Sequence, residues 1–223
     1  PNLRPVYSQQ ERVTAILLAL LMEGEPRKIH TFTRSLGISE TTVGTDLNFC
    51  ESWLTENGIA LIRKPGVGVY VDANEWQRRQ ALVRLYYDHT GGGRGQKNEI
   101  CAYSEKLPKL PNVQRLFDPE KAEQIDRMLD EIGALKGLIQ NDRSRRALVV
   151  HLYMILLRVC QGAGIEEETD RPAQNDPTLK LADALIGGLA KRFSIRIPNG
   201  ERDYLAMLLS TTKGLGGVSS EEA

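Results

Sequence analysis

The chain has little of what builds a disulfide-bonded, metal-binding or membrane-spanning protein. Its three cysteines, Cys50, Cys101 and Cys160, are odd in number and far apart. That spacing offers no zinc site and no disulfide framework. Such cysteines act as small apolar residues and fit a reducing, cytoplasmic setting. The longest apolar runs, AILLALLM at 15–22 and ALVVHLYMILL at 147–157, are too short to span a bilayer. Of the three histidines, His30 and His89 lack any Cys, His or paired carboxylate at ligand spacing, so no metal is expected. No Ser-His-Asp or Cys-His grouping can be assembled, and Ser39 reads as a helix cap rather than a nucleophile. The glycine run TGGGRG at 90–95 lacks the Lys-Ser/Thr ending of a phosphate loop. An enzyme is the least favoured class, and no cofactor is expected.

Charge of one sign is also missing. Lys plus Arg and Asp plus Glu are 29 each. Affinity for nucleic-acid phosphates comes mostly from Lys and Arg, so binding would need local patches or a dimer that doubles weak contacts. No initiator Met precedes Pro1 and no signal-peptide pattern follows it, which leads us to expect a piece of a longer protein.

What is present is helical periodicity. In SQQERVTAILLALLMEG, apolar residues recur at Val13, Ile16, Leu17, Leu20 and Leu21. Ser8 and Glu11 form a capping-box pair. RKIHTFTRSLG predicts a short second helix ending at Gly37. Ser39 caps a third, with Val43, Leu47, Cys50 and Leu54 on its inward face and Asn57-Gly58 as its stop. IALIRKPGVGVYV predicts a hairpin around Lys64-Pro65-Gly66. Three helices and a hairpin make a winged helix-turn-helix, expected over 6–89 with one further helix. Residues 90–117 are expected to be a linker. Helical patterning resumes at Asp118-Pro119 and predicts an all-helical bundle over 118–215, with helices in 118–133, 141–162, 176–193 and 201–214; the acidic stretch IEEETDRPAQ is a surface loop and SIRIPNGE a short extended link. The fold class expected is mainly α.

The outward face of the third helix is the candidate reading surface. Thr41, Thr42, Thr45 and Asn48 can bond to base edges and phosphates, and Thr methyls can touch thymine methyls. Arg63 and Lys64, near the hairpin tip, are the candidate backbone contacts, with Arg27, Lys28 and Arg34 nearby. The alternative is a winged helix that serves only as a protein-interaction or dimerisation module. Glu40 and the neutral overall charge favour that alternative.

His151 stands inside the apolar helix RALVVHLYMILLRV. A buried imidazole costs free energy unless it is hydrogen-bonded. Arg158 lies two turns on along its face, and two turns back stands Ser144, flanked by Arg143 and Arg145, with Arg146 next. Guanidinium groups near an imidazole suit a phosphohistidine. The other possibility is that these arginines pair with the acidic loop at 166–170. Asp126, Asp130 and Glu131 read as a solvated helix face.

Two stretches of this half, HLYMILLR (151–158) and FSIRIPNGERDYLAMLLSTTK (193–213), resemble the phosphotransferase-system regulation domain, or PRD, a helical bundle of sugar-responsive bacterial activators and antiterminators. The resemblance implies that His151 is the phosphorylatable histidine, with Arg158, Arg143 and Arg145 as phosphate partners. The second stretch follows the pattern Glu-x-x-Tyr-Leu-x-x-His at Glu201 and Tyr204, but Leu208 replaces the second His. Either His151 alone carries the signal or the bundle is retained as scaffold. The first half is similar to the Mga-like winged helix-turn-helix of mannitol-operon-type activators. Together these resemblances cover about 6–89 and 118–215. They imply a homodimeric DNA-binding activator of a sugar-uptake operon. Its other partners would be a phosphocarrier or a sugar-specific component of the phosphotransferase system.

Overall fold

A computed structural model describes residues 6–89, 118–133, 142–166 and 177–211. The expected linker, 90–117, lies outside the described residues. The chain is mainly helical. Its elements run α1 (Gln9–Met22), α2 (Ile29–Leu36), α3 (Glu40–Glu56), β1 (Ala60–Lys64), β2 (Gly68–Asp72), α4 (Glu75–His89), α5 (Pro119–Glu131), α6 (Asp142–Cys160), α7 (Pro177–Phe193) and α8 (Asn199–Thr211). They divide into two compact units, Pro1–Asp118 and Pro119–Ala223.

In the first unit α1 is the central post. Its start is held by the capping box: Ser8 N donates to Glu11 Oε2 at 2.6 Å, and Glu11 N donates to Ser8 Oγ at 3.3 Å. Periodicity alone suggests a one-sided apolar stripe. The structure instead buries every residue from Thr14 to Met22, because α3, α4 and β2 all pack on this helix. A helix apolar all round is the kind that belongs inside a core. The one hydroxyl in that stretch, on Thr14, donates to Gln10 O at 2.8 Å and so enters the interior satisfied.

Two arginines fix the neighbours of α1. Arg12 grips Asp46 of α3 through Nε at 2.7 Å and Nη2 at 3.1 Å, and Asp46 is fully buried. The bidentate fork sets the approach of α3. Arg78 of α4 closes the other end of α1. Its guanidinium donates to Leu20 O at 3.1 Å, Glu23 O at 2.9 Å, Val71 O at 3.1 Å and Ala73 O at 3.1 Å. The last carbonyls of a helix have no partner within it, and the negative end of the helix dipole favours a cation there.

The hairpin pairs Ala60 with Asp72 through to Lys64 with Gly68. Leu61, Val69 and Val71 face the core. Arg27 adds a further rung, exchanging two hydrogen bonds of 2.8 Å with Val69. Only glycine suits the neighbouring position 68. Its φ is 136°, and a Cβ there would stand 2.5 Å from Arg27 O.

In the second unit α5 packs against α6 and α7, and α7 against α8. Ile125 and Leu129, Leu152 and Ile155, Leu185 and Leu189, and Leu205 form its core. Helix α8 starts at Asn199, two residues before the sequence pattern suggested. The chain at Gly200 lies so close to Ile165 that a Cβ would be 2.4 Å from its carbonyl oxygen. The fully buried Glu201 carboxylate accepts the Ile165 N–H at 2.9 Å.

Replacing Arg78 with Met should lower the unfolding free energy by about 3 kcal/mol, since buried carbonyls lose their donors. Arg78→Lys should recover only part of it, because an ammonium cannot span so wide a fan of acceptors. Urea midpoints at constant m-value check this. Arg84→Met, which removes an exposed pair with Asp88, is the control and should change stability by less than about 0.5 kcal/mol.

Candidate nucleic-acid interface and the histidine of the second unit

Helices α2 and α3 meet through a three-residue turn. Gly37 ends α2 in the left-handed conformation, φ 69° and ψ 32°, and its N–H donates to Thr33 O at 2.9 Å. Ser39 then caps α3, accepting the Thr42 N–H at 3.1 Å. Phe32 and Leu36 from α2 and Val43, Leu47, Cys50 and Leu54 from α3 are buried. Burial pushes the Cys50 thiol pKa well up, with the Asp46 carboxylate adding to the shift, so this cysteine is an inert core residue.

The opposite face of α3 is open. Thr41, Thr45, Asn48 and Ser52 are exposed, and Thr42 is half-buried. Much of their hydrogen-bonding capacity is used locally. Thr45 Oγ1 donates to Thr41 O at 3.2 Å, Thr42 Oγ1 and Ser39 Oγ share a hydrogen bond of 2.8 Å, and Ser52 Oγ donates to Asn48 O at 3.2 Å.

The cations are disposed differently from what the sequence suggested. Arg63 lies within β1 and turns to α3, where Nη2 donates to Asn48 Oδ1 at 2.8 Å and Glu51 Oε2 at 2.6 Å. It acts as a brace, with its charge set against a carboxylate. Arg27 pairs with Glu23, and Lys28 donates to Gly66 O at the hairpin tip. Lys64 and Arg34 have exposed side chains. Sequence reasoning missed Phe49, which is 52% exposed beside Asn48. The signal was available: one step past Asn48, it falls off the inward face set by Val43, Leu47, Cys50 and Leu54.

In the second unit His151 is flanked on α6 by the buried Val150 and Leu152. Its Nδ1 is buried and has no hydrogen-bond partner among the described residues. Loss of hydration lowers its pKa from 6.5 to about 4. The ring is therefore neutral at pH 7, the protonation state in which an imidazole can act as a nucleophile.

The arginines expected around it have other partners. Arg145 binds α5, with Nε 2.6 Å from Asp126 Oδ1, Nη1 2.7 Å from Asp130 Oδ1 and Nη2 2.6 Å from Asp126 O. These carboxylates raise its pKa. Arg158 is buried and donates to Gln161 Oε1 at 2.9 Å. The Arg143 side chain and residues 167–170 of the acidic loop lie outside the described residues. The acidic face of α5 is solvated, as expected, and it also carries ion pairs: Asp126 and Asp130 hold Arg145, and Glu131 holds Arg192. In the second matched stretch, Glu201 and Tyr204 are buried, and Leu208 is half-buried. Among the described residues no group of His, Cys, Asp and Glu could hold a metal ion, and no helix is long and apolar enough to cross a membrane.

The shifted imidazole implies acid sensitivity. The folded-state pKa lies below the unfolded value, so the unfolded chain takes up the proton first. Stability is then full above about pH 6.5 and falls as the pH drops toward 4, by roughly 3 kcal/mol in all. His151→Leu should remove that share of the acid loss. Urea midpoints at pH 7.5 and pH 4.5 for both proteins check this, and equal pH dependence would contradict it.

No protein-family model matches the chain. Among curated proteins it is similar to the transcriptional regulator ManR of Bacillus subtilis (strain 168), at 21% identity over 220 residues. The match covers 96% of this chain and 31% of that regulator, so the chain spans about a third of its relative's length. The likeness is to a regulator of transcription and not to an enzyme.

Proposed function

We propose that the chain is a DNA-binding transcriptional regulator. Its first unit would be a winged helix-turn-helix over 6–89, and its second a PRD-type bundle over 118–215 controlled by phosphorylation. The observation that carries this reading is the joint made by α2, the Gly37 turn and α3. It leaves a continuous outward stripe, Thr41, Thr45, Asn48 and Ser52, on a helix followed directly by a hairpin. A helix carried this way can enter a major groove, with its exposed polar side chains toward base edges. The distant likeness to a transcriptional regulator supports the same class.

Few cations serve the phosphates in this reading. Arg63 positions Asn48, and the exposed Lys64 and Arg34 supply the backbone contacts. One unit would bind weakly, and a homodimer spanning two half-sites would make up the deficit. The regulatory input would be a phosphoryl group passed to His151 by a phosphocarrier or sugar-specific component of a phosphotransferase system, in the cytoplasm, at an operon for sugar uptake. A neutral, part-buried imidazole supports that role. The dianion it would carry cannot remain in an apolar setting without guanidinium partners, so phosphorylation would favour another packing of α6. Arg158 is the cation two turns along the same face. Arg145 could join only by leaving Asp126 and Asp130.

Two measurements test the proposal. In mobility shifts on duplex DNA the chain should bind with a salt dependence that weakens by about one unit of slope when Lys64 becomes Ala. A confirmed dimer that retains no duplex would instead mark a protein-interaction module, the reading that Glu40 and the scarcity of free cations favour. In a phosphotransfer assay with labelled phosphocarrier, His151→Ala should lose the acid-labile label that the parent acquires. Equal labelling of the two would remove His151 from the mechanism.

A further inference from the structure

Helix α3 is expected to read something, yet from Glu40 to Glu56 it has no Lys and no Arg. The commonest specific contact in the major groove, a guanidinium or ammonium on guanine O6 and N7, is therefore unavailable to it. What the helix does present is divided between two flanks. Asn48 and Glu51, one turn apart, face the hairpin and are held by Arg63 at 2.8 and 2.6 Å. Thr42, Thr45 and Phe49 follow one another at steps of three and four residues and so share the other flank.

That second flank is apolar in effect, although two of its three residues are threonines. The Thr45 hydroxyl hydrogen is directed to Thr41 O, and the Thr42 hydroxyl is engaged with the capping Ser39. With these hydroxyls occupied locally, the threonine methyls are what the flank has to offer an apolar group. Phe49 adds a ring that is 52% exposed, although burial would stabilise it. Methyls and an aromatic ring in a row match one feature of the major groove, the C5-methyl of thymine, the only apolar group displayed there. The brace from Arg63 places Asn48 Oδ1 toward β1, which leaves the Asn48 amide nitrogen as a donor to acceptors such as thymine O4 or a purine N7.

We infer that Thr42, Thr45 and Phe49 form a thymine-methyl-reading strip, with Phe49 as its principal specificity residue. This rests on the DNA-binding reading and adds which bases are read. The site should be rich in A·T pairs on the side of α3 away from the hairpin, and the Arg63–Asn48 hydrogen bond should fix the amide orientation on the other.

The test begins with selection of a randomised duplex DNA pool on the 223-residue chain. Each thymine in the recovered site is then replaced by deoxyuridine, which removes only the methyl. Binding should weaken about fourfold per methyl contacted. Phe49→Ala, a change at an exposed position, should keep the parent's thermal unfolding and salt dependence but lose part of this deoxyuridine sensitivity. Equal affinity for thymine and deoxyuridine duplexes, or a recovered site read only through G·C pairs, would overturn the inference and leave DNA binding intact. Full deoxyuridine sensitivity in Phe49→Ala would overturn the role of Phe49. Retention of no duplex would overturn both readings at once.

Discussion

The first unit is organised by a helix with no exposed side over its last nine residues, and the constraint this creates is met by Arg78. A helix buried over its last nine residues still leaves its final carbonyls without a partner inside the helix. The guanidinium of α4 reaches them and also takes Val71 O and Ala73 O. One side chain thus joins the end of the central helix, the inner strand of the hairpin and the start of α4. Arg12 and Asp46 do the matching work near the other end, between α1 and α3. The approach of the candidate reading helix to α1 therefore depends on an arginine, Arg12, whose charge is already taken by the buried Asp46.

This bears on the neutral composition. With as many acids as bases, the chain looks poorly suited to a polyanion. The structure shows that a uniform count understates the difficulty. Several of its arginines are already engaged: Arg78 in the core, Arg12 on the buried Asp46, Arg63 on α3, Arg145 and Arg192 in the second unit. Phosphate contact would fall to a few peripheral cations, so discrimination would have to come from base edges. A helix without Lys or Arg on its outward face is better fitted to specificity by shape and methyl contact than to tight non-specific binding.

Local chemistry was the most legible part of the sequence. The Ser8 and Glu11 box, the Ser39 cap, the Gly37 stop and the hairpin turn each follow from residues within a few positions of one another, and the structure contains all of them. Partners at long range were not legible. Nothing in the sequence marks Arg78 as a helix cap for residues nearly sixty positions earlier, or Arg63 as a brace for Asn48. Proximity along the chain places the arginines near Ser144 beside His151. Arg145 instead found two carboxylates on α5, because ion pairs between packed helices depend on which faces meet. Phe49 is hard to read for a related reason: phenylalanine is usually buried, and only its angular position on α3 argues otherwise.

His151 presents the sharpest conflict between local rule and stability. In the run ALVVHLYMILL a leucine at that position would complete the apolar face and leave no polar atom to satisfy. The imidazole instead holds Nδ1 out of water with no acceptor or donor found for it among the described residues, a condition that typically costs about 1–3 kcal/mol. Buried polar groups of this kind are few in folded proteins, and each calls for an explanation. The core of the second unit does not need this one. Its helices are already tied by Arg145 to Asp126 and Asp130, by Arg192 to Glu131 and by Glu201 to the backbone of Ile165. The proposed phosphoryl transfer would give such a costly histidine a role. The low pKa would suit the proposed phosphoryl transfer, since it leaves the ring unprotonated across the neutral range.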